Sequence, residues 1–233
     1  MGRATARQMR AAGTTASLVG AVLVLSSSGG DATASFAEPM AAHATGGDVA
    51  FRPDAISATL PSVRYDDGAS ATTFSDLAVV GRLTDWQPGR ATDWSTDAGR
   101  QLDFAHPADT RTVVLSLQVA EVLAADGDEV AAGDQVEVVA VLPGDADAEA
   151  AGEALTALDD VVVLASRGPA EHSGEWWVGL GGVLLGDLDD GGGLTWPVLE
   201  AAGSDLAPVT DDAGRLAALR AAAQRAPRTV TVP

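Results

Sequence analysis

Residues 112–142 constrain the fold more than any other stretch. Val113, Leu115, Leu117 and Val119 alternate with Val114, Ser116, Gln118 and Ala120. After a polar connection, Val136, Val138, Ala140 and Leu142 repeat the pattern, with Glu137 between them. Side chains on a strand point to alternate faces, so this spacing gives one face that must be buried and one milder face. Asp126-Gly127 and Gly133-Asp134 are turn signals between the two runs. The stretch therefore reads as an antiparallel strand pair. A lone pair is marginal in water, so the remaining chain must supply more strands or a helix to cover it.

The elements on either side extend this reading. Ser75 opens a strand in which Leu77, Val79, Gly81 and Leu83 alternate with Ala78, Val80 and Arg82, and Gly81 marks a bulge or sharp coiling. Residues 85–111 are polar, hold Trp86, Trp94 and His106-Pro107, and read as a long loop. Beyond the central pair, Asp145 or Asp147 can cap a helix with Ala151, Leu155 and Leu158 on one face. Val161 to Leu164 form a short buried strand. Residues 175–180 and 183–185 read as further strands, and Asp189 to Gly193 as a turn before residues 194–198. A last helix carries Leu216, Leu219 and Ala223, is capped by Thr210 or Asp211 and stops at Pro227. The expected class is mainly β: an OB-fold-like β-barrel with one helix between strands 3 and 4 and a C-terminal helix. A β-sandwich is the alternative.

The expected organisation is a signal peptide over 1–37, a low-complexity linker over 38–73, a β-barrel domain over 74–200, and a C-terminal helix and tail over 201–233. Arg3, Arg7 and Arg10 precede an apolar run from Ala16 to Leu25. Small residues follow, with Ala34 and Ala37 as candidate cleavage points. The run is shorter than the ~20 apolar residues that span a bilayer. No transmembrane segment is expected in the mature chain. The expected location is extracytoplasmic, secreted or cell-wall associated. Residues 38–73 are rich in small residues and Pro, with few large apolar groups to order them.

Composition narrows the function. The 233 residues carry 33 acidic and 14 basic side chains, a formal charge of −19, which repels nucleic-acid phosphate and anionic lipid. All basic residues are Arg, and Lys and Asn are absent, as a GC-rich genome would produce. Absence of cysteine excludes disulfides, thiolate metal sites and a cysteine nucleophile.

Three segments resemble exported β-rich actinobacterial proteins of unassigned function: residues 75–83 (SDLAVVGRL), residues 119–123 (VAEVL) and residues 132–138 (AGDQVEV). The resemblance covers about residues 75 to 200. It implies no catalytic residues.

Candidate chemistry is sparse. His43, His106 and His172 lack a second histidine at metal-ligand spacing. Glu171, His172 and Ser173 have the residue types of a hydrolase, but adjacent residues do not form the required relay. Residues 187–191 and 145–149 mimic calcium loops without the final Glu, and read more simply as a hairpin turn and a helix start. Neither a catalytic residue nor a metal or cofactor site is assigned. Trp86, Trp94, Trp176 and Trp177 are the possible ligand contacts, although tryptophans also plug barrel ends. The expected function is a non-enzymatic β-barrel domain that binds a cell-envelope or extracellular partner, not nucleic acid. The alternatives are a secreted hydrolase using carboxylates or His172, and a structural envelope protein.

Overall fold

The computed structural model describes residues 29–46, 53–66, 71–93, 100–102, 108–168, 172, 174–206, 212–225 and 228–231. The fold is mainly β. Eleven strands are present among the described residues: β1 Val63–Asp66, β2 Ala71–Thr72, β3 Leu77–Asp93, β4 Arg100–Leu102, β5 Thr110–Ala125, β6 Gln135–Pro143, β7 Asp160–Arg167, β8 Trp176–Val178, β9 Leu185–Leu188, β10 Leu194–Thr195 and β11 Arg228–Thr231. Four helices accompany them: α1 Gly29–Gly46, α2 Ala148–Thr156, α3 Pro197–Ala202 and α4 Leu216–Ala223.

Eight strands form one sheet in the order β10-β9-β7-β8-β6-β5-β3-β4, and an additional pairing joins β7 to β3. The strands that a β-sandwich would divide between two facing sheets are thus continuous. A separate three-stranded sheet has the order β11-β1-β2.

The central pair forms as its alternation dictates. Val113, Leu115 and Leu117 are fully buried and Val119 nearly so. Leu115 pairs with Val138, and Val113 with Ala140, across an antiparallel ladder. In β7 every residue from Val161 to Ala165 is fully buried, because neighbours cover both of its faces. The start of β3 has the same character. Leu77 to Gly81 pair with β5 on one side and β7 on the other. A register shift at Val80/Gly81 places the bulge where the glycine anticipates one.

Asp147 caps α2 by accepting a hydrogen bond from the Ala150 amide at 3.0 Å, and Ala151 and Leu155 face the core. Residues 145–149 are therefore a helix start. Gly152 leaves room for the Trp86 ring, which an added Cβ would approach within 2.3 Å.

Several expectations need correction. Residues 85–111 are not one long loop. β3 runs on to Asp93, through Pro88, by way of register shifts at Leu83/Asp85 and Pro88/Ala91, and β4 pairs with its end. Pro88 is accommodated because its stretch of β3 pairs on one side only. Much of 38–73 is ordered as well. α1 continues to Gly46, a 3₁₀ turn spans Ile56–Thr59, and β1 and β2 follow. Buried Phe36, Met40, Ile56 and Leu60 supply the apolar contact that the composition alone understates. α1 also crosses both Ala34 and Ala37.

The strand expected over 175–180 is only Trp176–Val178. A 3₁₀ turn over Gly179–Gly182 then takes Leu180 to φ 51°, and residues 183–184 lie in the turn before β9. Residues 194–198 are part strand and part helix, with Pro197 at the first turn of α3, where its missing amide hydrogen costs nothing. α4 begins at Leu216 after Arg215, without a side-chain cap. Thr210, Asp211 and Pro227 lie outside the described residues.

Leu117→Ala should cost about 2–5 kcal/mol, the range for a buried large-to-small change. Gln118 is exposed and donates to the Gly133 carbonyl at 2.8 Å. Gln118→Ala should therefore cost about 1 kcal/mol or less. Equilibrium denaturation of both variants checks this; equal small losses would contradict the burial of this strand.

Candidate functional site

The outward face of the central strands carries a cleft of about 330 Å³. Val114 and Val139, which pair across β5 and β6, form part of its floor. Gln87 of β3, Glu137 of β6, Glu175 and Trp176 complete much of its lining. Strand alternation explains the floor: Val114 and Val139 are the neighbours of the inward Leu115 and Val138, so they point to the opposite face. The body is thus apolar and the rim polar, with two carboxylates.

Beside the cleft a charged cluster is assembled from three distant parts of the chain. At the end of β3, Gly89 and Arg90 stand opposite Thr112 alone, since Pro88 pairs with Val113 and Ala91 with Arg111. The Thr112 hydroxyl accepts a hydrogen bond from the Arg90 amide at 2.7 Å. A Cβ on Gly89 would lie 2.2 Å from that hydroxyl oxygen, so only glycine permits this approach. Arg90 then extends to Glu175 just before β8, with Nη1 donating to Oε1 at 2.8 Å and Nη2 to Oε2 at 2.5 Å. Such a two-point guanidinium–carboxylate pair fixes direction as well as distance.

Glu175 holds two further groups. The Trp177 indole donates to its Oε2 at 3.1 Å, and His172 Nδ1 lies 3.6 Å from its Oε1. The Arg90 hydrogen bond holds the Glu175 carboxyl below the usual carboxylate range, against the opposing effect of burial and with help from the Trp177 hydrogen bond. The His172 ring stacks on Trp177 at 6.3 Å and 21°, and the Arg90 guanidinium lies 5.9 Å from the same indole. His172 Nε2 is buried without a hydrogen-bond partner among the described residues.

The candidate tryptophans separate by role. Trp176 lines the cleft, largely buried, with Arg167 stacked 3.8 Å from its ring. Trp177 sits in the charged cluster, its ring flanked by His172 and Arg90. Trp86 packs on α2 and the core. Trp94 lies outside the described residues, as do His106, Glu171 and Ser173. Trp196 is fully enclosed in the core. His43 is half-buried on α1, which lowers its pKa by desolvation.

The acidic stretch 187–191 is the end of β9 and the turn that follows it. The Asp189 carboxylate accepts the Gly191 amide at 2.7 Å and the Gly193 amide at 2.8 Å. Burial, followed by nearby Asp159 and Asp189, raises the Asp187 pKa. Among the described residues no group of three or more His, Asp or Glu side chains is placed to hold a metal ion. No helix among them is long and apolar enough to cross a membrane.

Sequence reasoning named His172 and Trp177 but missed Arg90, Glu175, Gln87 and Glu137 as site residues. Glu175 directly precedes the two tryptophans, a usable signal. Arg90 gave none, because its stretch read as loop. Comparison with protein-family models and with curated proteins gives no match.

Glu175→Gln tests the cluster. A carboxyl with a depressed folded-state pKa adds stability above its ordinary value of 4.5, and that stability is lost as pH falls below it. At neutral pH the variant should be less stable by about 1 kcal/mol or less, since the pair is about a third exposed. In urea denaturation at successive pH values, the difference should shrink below pH 4.5. A constant difference down to acid pH would contradict the assignment.

Proposed function

We propose that the protein is an exported, non-enzymatic binding domain, built as an OB-type barrel, that holds a neutral oligosaccharide of the cell envelope in the Val114–Val139 cleft. The position of the cleft carries this reading. The pairings run β3–β5, β5–β6, β6–β8, β8–β7 and β7–β3, returning to their start, and α2 lies between β6 and β7. Counted around that ring, β5 and β6 are the second and third strands, and the β7–β8 connection carries His172 and Glu175. OB-folds are partly open five-stranded barrels that bind oligonucleotides and oligosaccharides on the face of strands 2 and 3, flanked by the loop between strands 4 and 5. This analogy sets the expectation; the residues in the cleft must justify the ligand.

Those residues favour sugar over nucleic acid. Glu137 and Glu175 lie on the rim, and the nearby Arg90 is already neutralised by Glu175. With a formal charge of −19 behind them, phosphate is repelled. The amide of Gln87 and the carboxylate of Glu137 suit hydroxyl groups, and the valine floor suits the apolar face of a sugar ring. A concave site of this size also favours binding over a purely structural envelope role.

The hydrolase reading draws less support. A general base needs a reacting proton within hydrogen-bond reach. The carboxylate nearest His172 is occupied by a guanidinium and an indole, and His172 Nε2 meets no hydroxyl among the described residues.

Titration of the ¹⁵N-labelled protein with β-1,4-linked N-acetylglucosamine oligomers tests the proposal. Amide shifts should concentrate at Val114, Glu137, Val139 and Trp176. Glu137→Ala should weaken binding about tenfold, the loss of one hydrogen bond to a charged group. Absence of shifts at millimolar sugar, or shifts spread away from the cleft, would overturn it.

A further inference from the structure

A second groove lies at the far end of β5, about 30 Å along the strand from Val114. Val119 exchanges backbone hydrogen bonds with Gly133 and Asp134. Beyond it, residues 120–125 pair only with β3 among the described residues. N–H and C=O groups of successive strand residues point to opposite edges, so part of this stretch faces away from β3 toward no partner strand. A groove of about 300 Å³ follows that open edge, and Leu123, Ala124 and Ala125 all line it. Side chains alternate between faces, so three consecutive residues are reached together only from the edge of the strand. One wall is Ala223 of α4, a helix fixed to β5 by Arg220, whose Nη2 donates to Glu121 Oε2 at 2.5 Å. Pro61 and Ser62, at the entry to β1, form the other.

Two guanidinium groups stand at this groove, Arg64 and Arg225. Arg64 Nη2 donates to Asp126 Oδ2 at 2.9 Å, and its other N–H groups have no partner among the described residues. The Arg225 guanidinium and the Ser62 hydroxyl have no hydrogen-bonding or ionic partner among them either. In a chain with 33 acidic and 14 basic side chains, a guanidinium without a carboxylate runs against the balance of charge. Arg82, Arg90, Arg167 and Arg220 each have one. We propose that this groove binds the C-terminal end of an extended, otherwise uncharged peptide. The peptide adds a short strand along residues 120–125, its carboxylate meets Arg225 and Arg64, and its apolar side chains lie on Leu123 and Ala223. Backbone pairing at an open sheet edge gives such a site its affinity, and side-chain contacts give its selectivity. The two arginines select for a single carboxylate, and the net charge of −19 selects against further acidic residues. The volume is at the small end for a ligand pocket, so the groove encloses a chain end and not a long segment.

Titration of the ¹⁵N-labelled protein with the acetylated peptide Ala-Val-Thr-Val-Ala, ending in either a free carboxylate or an amide, tests this. The carboxylate form should shift the amides of Ser62, Leu123, Ala124 and Ala125. It should bind about tenfold more tightly than the amide form, the worth of a hydrogen bond to a charged group. Bound peptide should also slow amide hydrogen exchange within residues 120–125. Arg225 is exposed, so Arg225→Gln should leave the melting temperature unchanged while removing most of the preference for the carboxylate form. Equal binding of the two forms, or a full preference kept by Arg225→Gln, overturns the carboxylate assignment. Sodium acetate binding as tightly as the peptide overturns strand addition, because the peptide backbone would then contribute nothing. Shifts confined to the Val114–Val139 cleft, or none at millimolar peptide, overturn the site itself.

Discussion

The pairing of Leu77 to Gly81 with two strands at once is the constraint on which the rest of the structure depends. On one side lies the end of β5, on the other the all-buried run of β7. The two partners come from sequence positions on opposite sides of β6 and α2, so β3 ties the central hairpin to everything that follows. Backbone hydrogen bonds in such a position are shielded from water, and leaving them unmade is costly. The bulge at Gly81 matters for this reason. It lets β3 turn from a doubly paired strand into one paired with β5 alone, and from there to the arginine that reaches Glu175.

The site follows from that geometry. The strands that bury Leu115 and Val138 inward must present Val114 and Val139 outward. The extra residues near the end of β3 then place Arg90 opposite the chain segment that enters β8. Glu175 gathers Arg90, Trp177 and His172, and so fixes one flank of the cleft. Trp177 contributes as part of this scaffold, with its ring flanked by a histidine and a guanidinium. Trp176 presents to the cleft while remaining largely buried.

Legibility in the sequence tracked how local the determining interactions are. β5, β6, β7 and α2 were readable because each has a clear period and, for α2, a capping aspartate. The far half of β3 was not, because Pro88 and Gly89 signal a loop unless the bulges that admit them are known. α3 was hidden behind Trp196-Pro197, which reads equally as a strand end or a helix start. α1 was masked by its composition: half of its buried face is alanine, with Phe36 and Met40 as the large anchors, and it overlaps a segment that reads as an export signal. The charged cluster was the least legible feature, since Arg90 and Glu175 are 85 positions apart. Only the Glu-Trp-Trp run hinted at it.

The double pairing of β3 can be tested most directly by cross-strand proton contacts in solution. Val79 pairs with Val122 of β5 and with Val163 of β7. Nuclear Overhauser spectra should show backbone contacts from Val79 to both valines. Contacts to Val122 without any to Val163 would contradict the account, because the Leu77–Gly81 stretch of β3 would then be an ordinary edge and the site built upon it would lose its support.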